Sequence, residues 1–290
     1  MGSVSPTLLT PVECRLPHIM LSAVETVSES KGLPLALFFH GITANAYVFQ
    51  PVLDQLAAEF RCVSVDQRGH GRSDKPASGY GAEAFAEDLA ALVRHFGGRP
   101  ALIVGHSLGA RNGIVAAAKH PSLIAGVVAI DFTPYIEDQV FTDLENRVNG
   151  GDRVFQDVEE VKSYLAGRYK LMPADAVERR ARWGYRPVEG GLRPLADPGA
   201  MTQIAAGLRE DLVAPLRAVK VPVLLMRGKE SKLVSPAAFA KTRALRADLP
   251  AVEIEHADHY VPEEEPKATV DEIRKFWKSS VLGMGTASIN

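Results

Sequence analysis

The chain has 290 residues, 46% of them hydrophobic and 23% charged, and its 33 basic and 35 acidic side chains leave a net charge of −2. That balance excludes a nucleic-acid surface built on bulk positive charge, and the length suits one α/β domain carrying an insertion. Two cysteines, Cys14 and Cys62, exclude a disulfide framework. With no basic-then-apolar leader and no apolar run of 18 residues, a cytoplasmic protein without a membrane span is expected.

In chain order, the first thirty residues alternate loosely and predict an antiparallel hairpin. Short apolar runs follow at 34–40, 62–66, 101–106, 126–131, 221–228 and 251–256, most of them rich in Val, Ile or Phe. Such runs read as strands buried on both faces, the mark of a parallel sheet. Between them, 47–60, 81–96, 107–120, 235–248 and 262–279 carry apolar residues at helical intervals, and Pro121 stops the third. The alternation predicts a doubly wound, mostly parallel α/β sheet. From Asp131 to Val221 no convincing strand is found. This arginine-rich stretch reads as a helical lid inserted after the sixth strand, giving a core of 1–131 and 211–290 and a cap of 132–210.

The strand "ALIVGH" runs directly into Gly105-His106-Ser107-Leu108-Gly109 and then into a helix. Strand–G-x-S-x-G–helix describes a nucleophile elbow, where flanking glycines let a strained serine stand exposed above the sheet. Ser107 then needs a base, and in the order Ser…Asp/Glu…His the base follows the last strand. "AVEIEHADHYVP" offers two histidines. His256 closes the strand and is set by its pleat; His259 lies in the loop beyond and is assigned as the base. His106 adjoins the serine but is expected on the far side of the elbow. The oxyanion hole is expected from the backbone amides of Leu108 and of Ile42, which follows His40-Gly41 at the end of "LALFF".

The blocks "FFHGITAN", "DQRGHGRSDKP", "VGHSLGAR" and "ADHYVPEEEP" resemble the α/β-hydrolase superfamily, in the right order and over nearly the whole chain. The resemblance gives Asp66–Ser73 a structural role only. In this superfamily the acid commonly sits in a G-x-x-D after the strand that follows the lid. Here that position holds Ser231, counting from Gly228, with Glu230 one residue short. Asp131 is the alternative: it ends the preceding strand at the C-terminal edge of the sheet, and some superfamily members carry their acid there. The expected triad is Ser107, Asp131 and His259, with Glu230 as runner-up.

Serine at the elbow argues for acyl transfer to water rather than for the aspartate-based chemistry of dehalogenases and epoxide hydrolases. Neither a metal nor an organic cofactor is expected, since no ligand cluster, dinucleotide turn or P-loop is found. The lid holds Arg147, Arg153, Arg168, Arg179, Arg180, Arg182 and Arg186. Most read as solvated, but arginine over a hydrolase pocket matches a carboxylate-bearing substrate. Arg147, Arg168, Tyr169 and Trp183 are the candidate substrate-binding residues. "IDFTPYIE" and "LAGRY" add a likeness to cofactor-free amidases of vitamin B6 breakdown, which implies hydrolysis of an enamide of a small dicarboxylate. Two other readings compete: a carboxylesterase or C–C bond hydrolase of ring-cleavage products, and a ligand receptor that has lost turnover. The expected partner is a small molecule, with no nucleic acid or membrane, and monomer and homodimer are both left open.

Overall fold

The computed structural model describes residues 8–27 and 32–283. The expected core limits at 1 and 290 lie outside the described residues. The chain opens with the expected hairpin, β1 (Leu9–Arg15) antiparallel to β2 (Met20–Thr26). There follow β3 (Leu35–Phe39), a 3-10 turn at Ala46–Phe49 leading into α1 (Gln50–Leu56), β4 (Arg61–Val65), α2 (Ala82–His95), β5 (Ala101–His106), α3 (Leu108–Lys119) and β6 (Ile124–Ile130).

The insertion comes next. It comprises α4 (Asp138–Asn149), α5 (Val158–Arg168), α6 (Ala174–Trp183), the strands β7 (Tyr185–Val188) and β8 (Gly191–Pro194), and α7 (Pro198–Gly207). The chain then returns through α8 (Val213–Ala218), β9 (Val223–Gly228), α9 (Pro236–Leu245), β10 (Ala251–Ile254), α10 (Val261–Glu264) and α11 (Pro266–Phe276).

Eight strands form one sheet in the order β1-β2-β4-β3-β5-β6-β9-β10. From β4 to β10 every neighbouring pair is parallel; β2 joins β4 antiparallel. Each apolar run feeds both faces, as a period of two requires. Leu37, Phe39, Val63, Val65 and Ile103 pack with α2 and α3, through side chains such as Leu89 and Ile114. Ala36, Phe38, Cys62, Leu102 and Val104 face α1 and α11 instead, with Val52 and Ile273. Helices on both faces bury the sheet, which is why its strands read as continuous apolar segments. Among the described residues no helix is long and apolar enough to cross a membrane.

The insertion departs from expectation in one respect. Tyr185–Val188 and Gly191–Pro194 pair as an antiparallel hairpin, and an isolated bridge ties Phe155 to Leu192. Pro187 and Pro194 disguise these strands in the sequence. The signal they conceal is Gly190-Gly191, both at positive φ (81° and 143°), where the chain reverses. The inserted elements bury a cluster of their own, including Phe155, Val161, Leu165 and Val177. Leu144, Val148, Met201 and Ile204, from α4 and α7, pack with Leu108 at the start of α3. The insertion is thereby fastened directly over the elbow.

Candidate active site

Strand β5 delivers Ser107 into a backbone conformation of φ 53° and ψ −110°, which a non-glycine residue occupies only when its surroundings force it. The two flanking glycines are required by contact. A Cβ on Gly109 would lie 2.0 Å from the Phe39 carbonyl oxygen, and one on Gly105 would lie 2.4 Å from the backbone of Gly109. Neither neighbour is a side chain that can swing away. Gly109→Ala should therefore cost about 3 kcal/mol or more of stability, read as a lowered midpoint in urea with unchanged slope.

Asp131 follows β6 at φ 50°, again left-handed, with its amide held by the Met226 carbonyl at 2.7 Å. Its buried carboxyl is ringed by donors. Gly228 N–H lies 3.0 Å from Oδ1; the Ser231 hydroxyl and His259 Nδ1 each lie 2.6 Å from Oδ2. The structure thus brings Asp131 and His259 together. Glu230 is exposed, one residue away from the contact, whereas Ser231, at the fourth place counted from Gly228, is buried and donates to Asp131. A serine at the fourth place of the expected G-x-x-D was the sign in the sequence that Asp131, and not a residue of that loop, would meet His259.

Burial pushes the Asp131 carboxyl upward, while Ser231, Gly228 and the Arg227 guanidinium hold it back toward the anion. Burial pulls His259 down to about 3, with the positive charge of Arg147 acting in the same direction. At 2.6 Å the Nδ1–Oδ2 contact needs one proton between the pair. Burial thus favours the neutral ring, and its Nδ1 is engaged by Asp131 Oδ2. Ser107 Oγ makes no hydrogen bond to a described residue, and Ser107 and His259 share the walls of the same two cavities.

The neighbouring histidines have other tasks. His256 does not close β10: the strand ends at Ile254, and His256 stands exposed in a turn at φ 59°. His106 is not on the far side of the elbow. Its ring packs 4.7 Å from that of His259, and its Nε2–H donates to the His259 carbonyl at 2.7 Å, pinning the backbone there. On the side of the loop after β3, a Cβ on Gly41 would lie 3.3 Å from that of Ser107, so the loop passes as close as it can. Two buried rings hold this loop. His40 Nε2 accepts from the Gln67 amide, and His70 Nε2 accepts from the Thr43 amide, both at 3.2 Å. Among the described residues the Ile42 and Leu108 amides have no acceptor, and Leu108 opens α3, where first-turn N–H groups lack helical partners.

The lid's arginines separate sharply. A narrow cavity of about 20 Å³ is lined by Ser107, His259, Ile42, Arg147, Arg168, Arg180 and Tyr260, among others. Arg180, expected with the solvated majority, is 6% exposed and forks onto Glu263, with Nε 2.9 and 3.1 Å from its two oxygens. The rings of Tyr169 and Tyr260 sandwich it, 4.9 and 5.0 Å from the guanidinium carbon. Glu263 sits in an acidic run, and nothing in the sequence separates it from its neighbours. Arg147 reaches Tyr260 at 3.5 Å and Arg168 bonds the Tyr164 hydroxyl; neither has an ion pair among the described residues, and Arg168 Nε is buried without a partner. Tyr169 lines the adjoining cavity rather than the one holding Ser107. Trp183 is brought to neither: its ring stacks on Tyr47 at 4.0 Å and 3°, which corrects its expected place among the substrate contacts.

A family model described as alpha/beta hydrolase fold matches residues 34–266. The chain belongs to the α/β-hydrolase family. Among curated relatives of this hydrolase is the 2-(acetamidomethylene)succinate hydrolase of Mesorhizobium japonicum, 55% identical over 250 residues, covering 86% of this chain and 90% of that protein. A bifunctional esterase/perhydrolase of Acinetobacter calcoaceticus is 28% identical over 216 residues, covering 69% and 75%. Among solved structures, that of E-2-(acetamidomethylene)succinate hydrolase superposes with a TM-score of 0.90 at 52% identity, covering 93% of this chain and all of the other.

Proposed function

We propose that this hydrolase is a serine amidohydrolase cleaving the amide of an enamide dicarboxylate of the 2-(acetamidomethylene)succinate kind, with Ser107 as nucleophile, His259 as base and Asp131 as acid. The observation that carries the reading is charge. Two guanidinium groups without counter-ions among the described residues, Arg147 and Arg168, line the same cavity as Ser107 and His259, and a dicarboxylate would supply the two missing charges. Arg180 is already matched by Glu263 and serves to hold the cavity's aromatic wall.

In this reading Ser107 Oγ attacks the acyl carbonyl while His259 Nε2 takes its proton, and the Ile42 and Leu108 amides receive the oxyanion. The imidazolium that forms is stabilised by Asp131 through Nδ1. His259 then protonates the leaving nitrogen, the C–N bond breaks, and the enamine dicarboxylate departs. Water, deprotonated by the same ring, attacks the acyl-serine and releases the carboxylic acid. Segment 132–210 acts as the cap that carries the arginines and excludes solvent. The intact nucleophile–base–acid set favours this reading over a receptor without turnover.

The arginines give a direct test. Arg147→Ala and Arg168→Ala should each raise KM for the dicarboxylic enamide roughly 10- to 100-fold, as loss of a charge-assisted contact does, and change neutral ester hydrolysis little. Steady-state kinetics on both substrates decides it, and equal losses on both would refute the carboxylate clamp.

The pH profile provides a second check. The neutral ring is the active form, and burial lowers its proton affinity. Activity should therefore persist well below pH 6.5, the ordinary histidine value, before the acid limb of kcat/KM falls. Arg147→Ala removes a positive neighbour, so that limb should move to higher pH.

A further inference from the structure

A second cavity meets the site from another side, and the proposed chemistry leaves it unused. It measures about 390 Å³ and shares only Ser107, His259, Leu144 and Leu233 with the arginine-lined cavity. Somewhat more than half of its lining is apolar, with Phe132, Ile136, Val140, Phe141, Leu208 and Leu212 among it, and the buried Arg111, paired with Glu210 at 2.8 Å, also reaches it. Its rim is charged and open, where Asp138 and Asp211 stand exposed.

A tetrahedral carbon on Ser107 carries the serine oxygen, the oxyanion and two further substituents, and these two must leave in different directions. If the leaving dicarboxylate lies against Arg147 and Arg168, the acyl substituent is directed into the apolar cavity, which is far larger than a two-carbon group fills.

We infer that this apolar cavity is an acyl-binding site for straight saturated chains of about four to six carbons, so that the enzyme hydrolyses N-acyl enamides with acyl groups longer than acetyl. The inference rests on the amidohydrolase reading above and adds the acyl class to it. Each methylene entering the cavity leaves water, and at full burial this raises kcat/KM roughly fourfold. Leu144, between the two cavities, keeps the chain away from the guanidinium groups. The bonds broken and formed are those of acetyl transfer; only the acid released is longer.

The test is a series of acetyl, butyryl and hexanoyl enamides of one dicarboxylate, with each kcat/KM divided by its rate of alkaline hydrolysis. A rise of about tenfold or more from acetyl to hexanoyl is expected. A flat or falling series, with the acetyl compound turned over, overturns the acyl site and leaves the amidohydrolase reading standing; such a cleft would serve water or product. No turnover of any member removes both.

Val140→Trp, which fills the cavity from α4, should lower hexanoyl turnover at least about tenfold and leave acetyl turnover within about twofold. Ile136→Phe gives the same comparison should the first variant fold poorly. Equal losses on both substrates contradict the assignment.

Discussion

Ser107→Ala should lower kcat/KM for the enamide by roughly 10⁵-fold or more, the scale seen when a serine nucleophile is removed from a working triad. The loss belongs to the chemical step, because the hydroxyl supplies no structural bond: Ser107 Oγ is bonded to no described residue, while its amide is held by the Ile130 carbonyl at 2.9 Å. The variant should therefore keep its unfolding midpoint and still bind the dicarboxylate through Arg147 and Arg168. Calorimetric titration of the variant against its loss of turnover separates the two effects. Weakened binding in proportion to lost activity would mean that the serine serves the pocket and not the reaction.

Asp131→Asn should lower kcat by about 10⁴-fold, whereas Glu230→Gln should stay within about twofold. The size follows from the donors around the carboxyl. Gly228 N–H points at Oδ1, and the Ser231 hydroxyl and His259 Nδ1 both point at Oδ2. An asparagine has one oxygen to offer. Facing it toward Gly228 turns its NH₂ against the histidine, which must then carry its proton on Nε2 and can no longer accept from Ser107. Facing it the other way sets NH₂ against the Gly228 N–H, a buried donor–donor clash. Kinetics of the two variants side by side decides between the carboxylates, and a large loss in Glu230→Gln would move the acid back to the loop after β9.

How much of this was legible beforehand depends on whether the signal was local. The elbow was, because a strand running into G-x-S-x-G carries its own constraint: Gly105 and Gly109 are needed where backbone meets backbone. The sheet was legible for the same reason, since strands buried on both faces cannot be polar. Partners from distant segments were hidden. Arg180 and Glu263 are 83 positions apart and each sits in a charge-rich stretch that reads as solvated surface. Only the folded chain, with Tyr169 and Tyr260 closing around the guanidinium, distinguishes that pair from its exposed neighbours. Trp183 misled in the opposite way, as an aromatic residue in an arginine-rich lid that packs on Tyr47 of the core. The β7–β8 hairpin was masked by its prolines, which weaken a strand pattern that pairing through Val188 and Gly191 overrides.

Acid quench during turnover of 2-(acetamidomethylene)succinate, followed by peptide mass spectrometry, bears most directly on the covalent route. An acetyl group on the peptide containing Ser107, absent from Ser107→Ala, is the predicted result. Acetyl on a different side chain, or undiminished hydrolysis by the alanine variant, would contradict it.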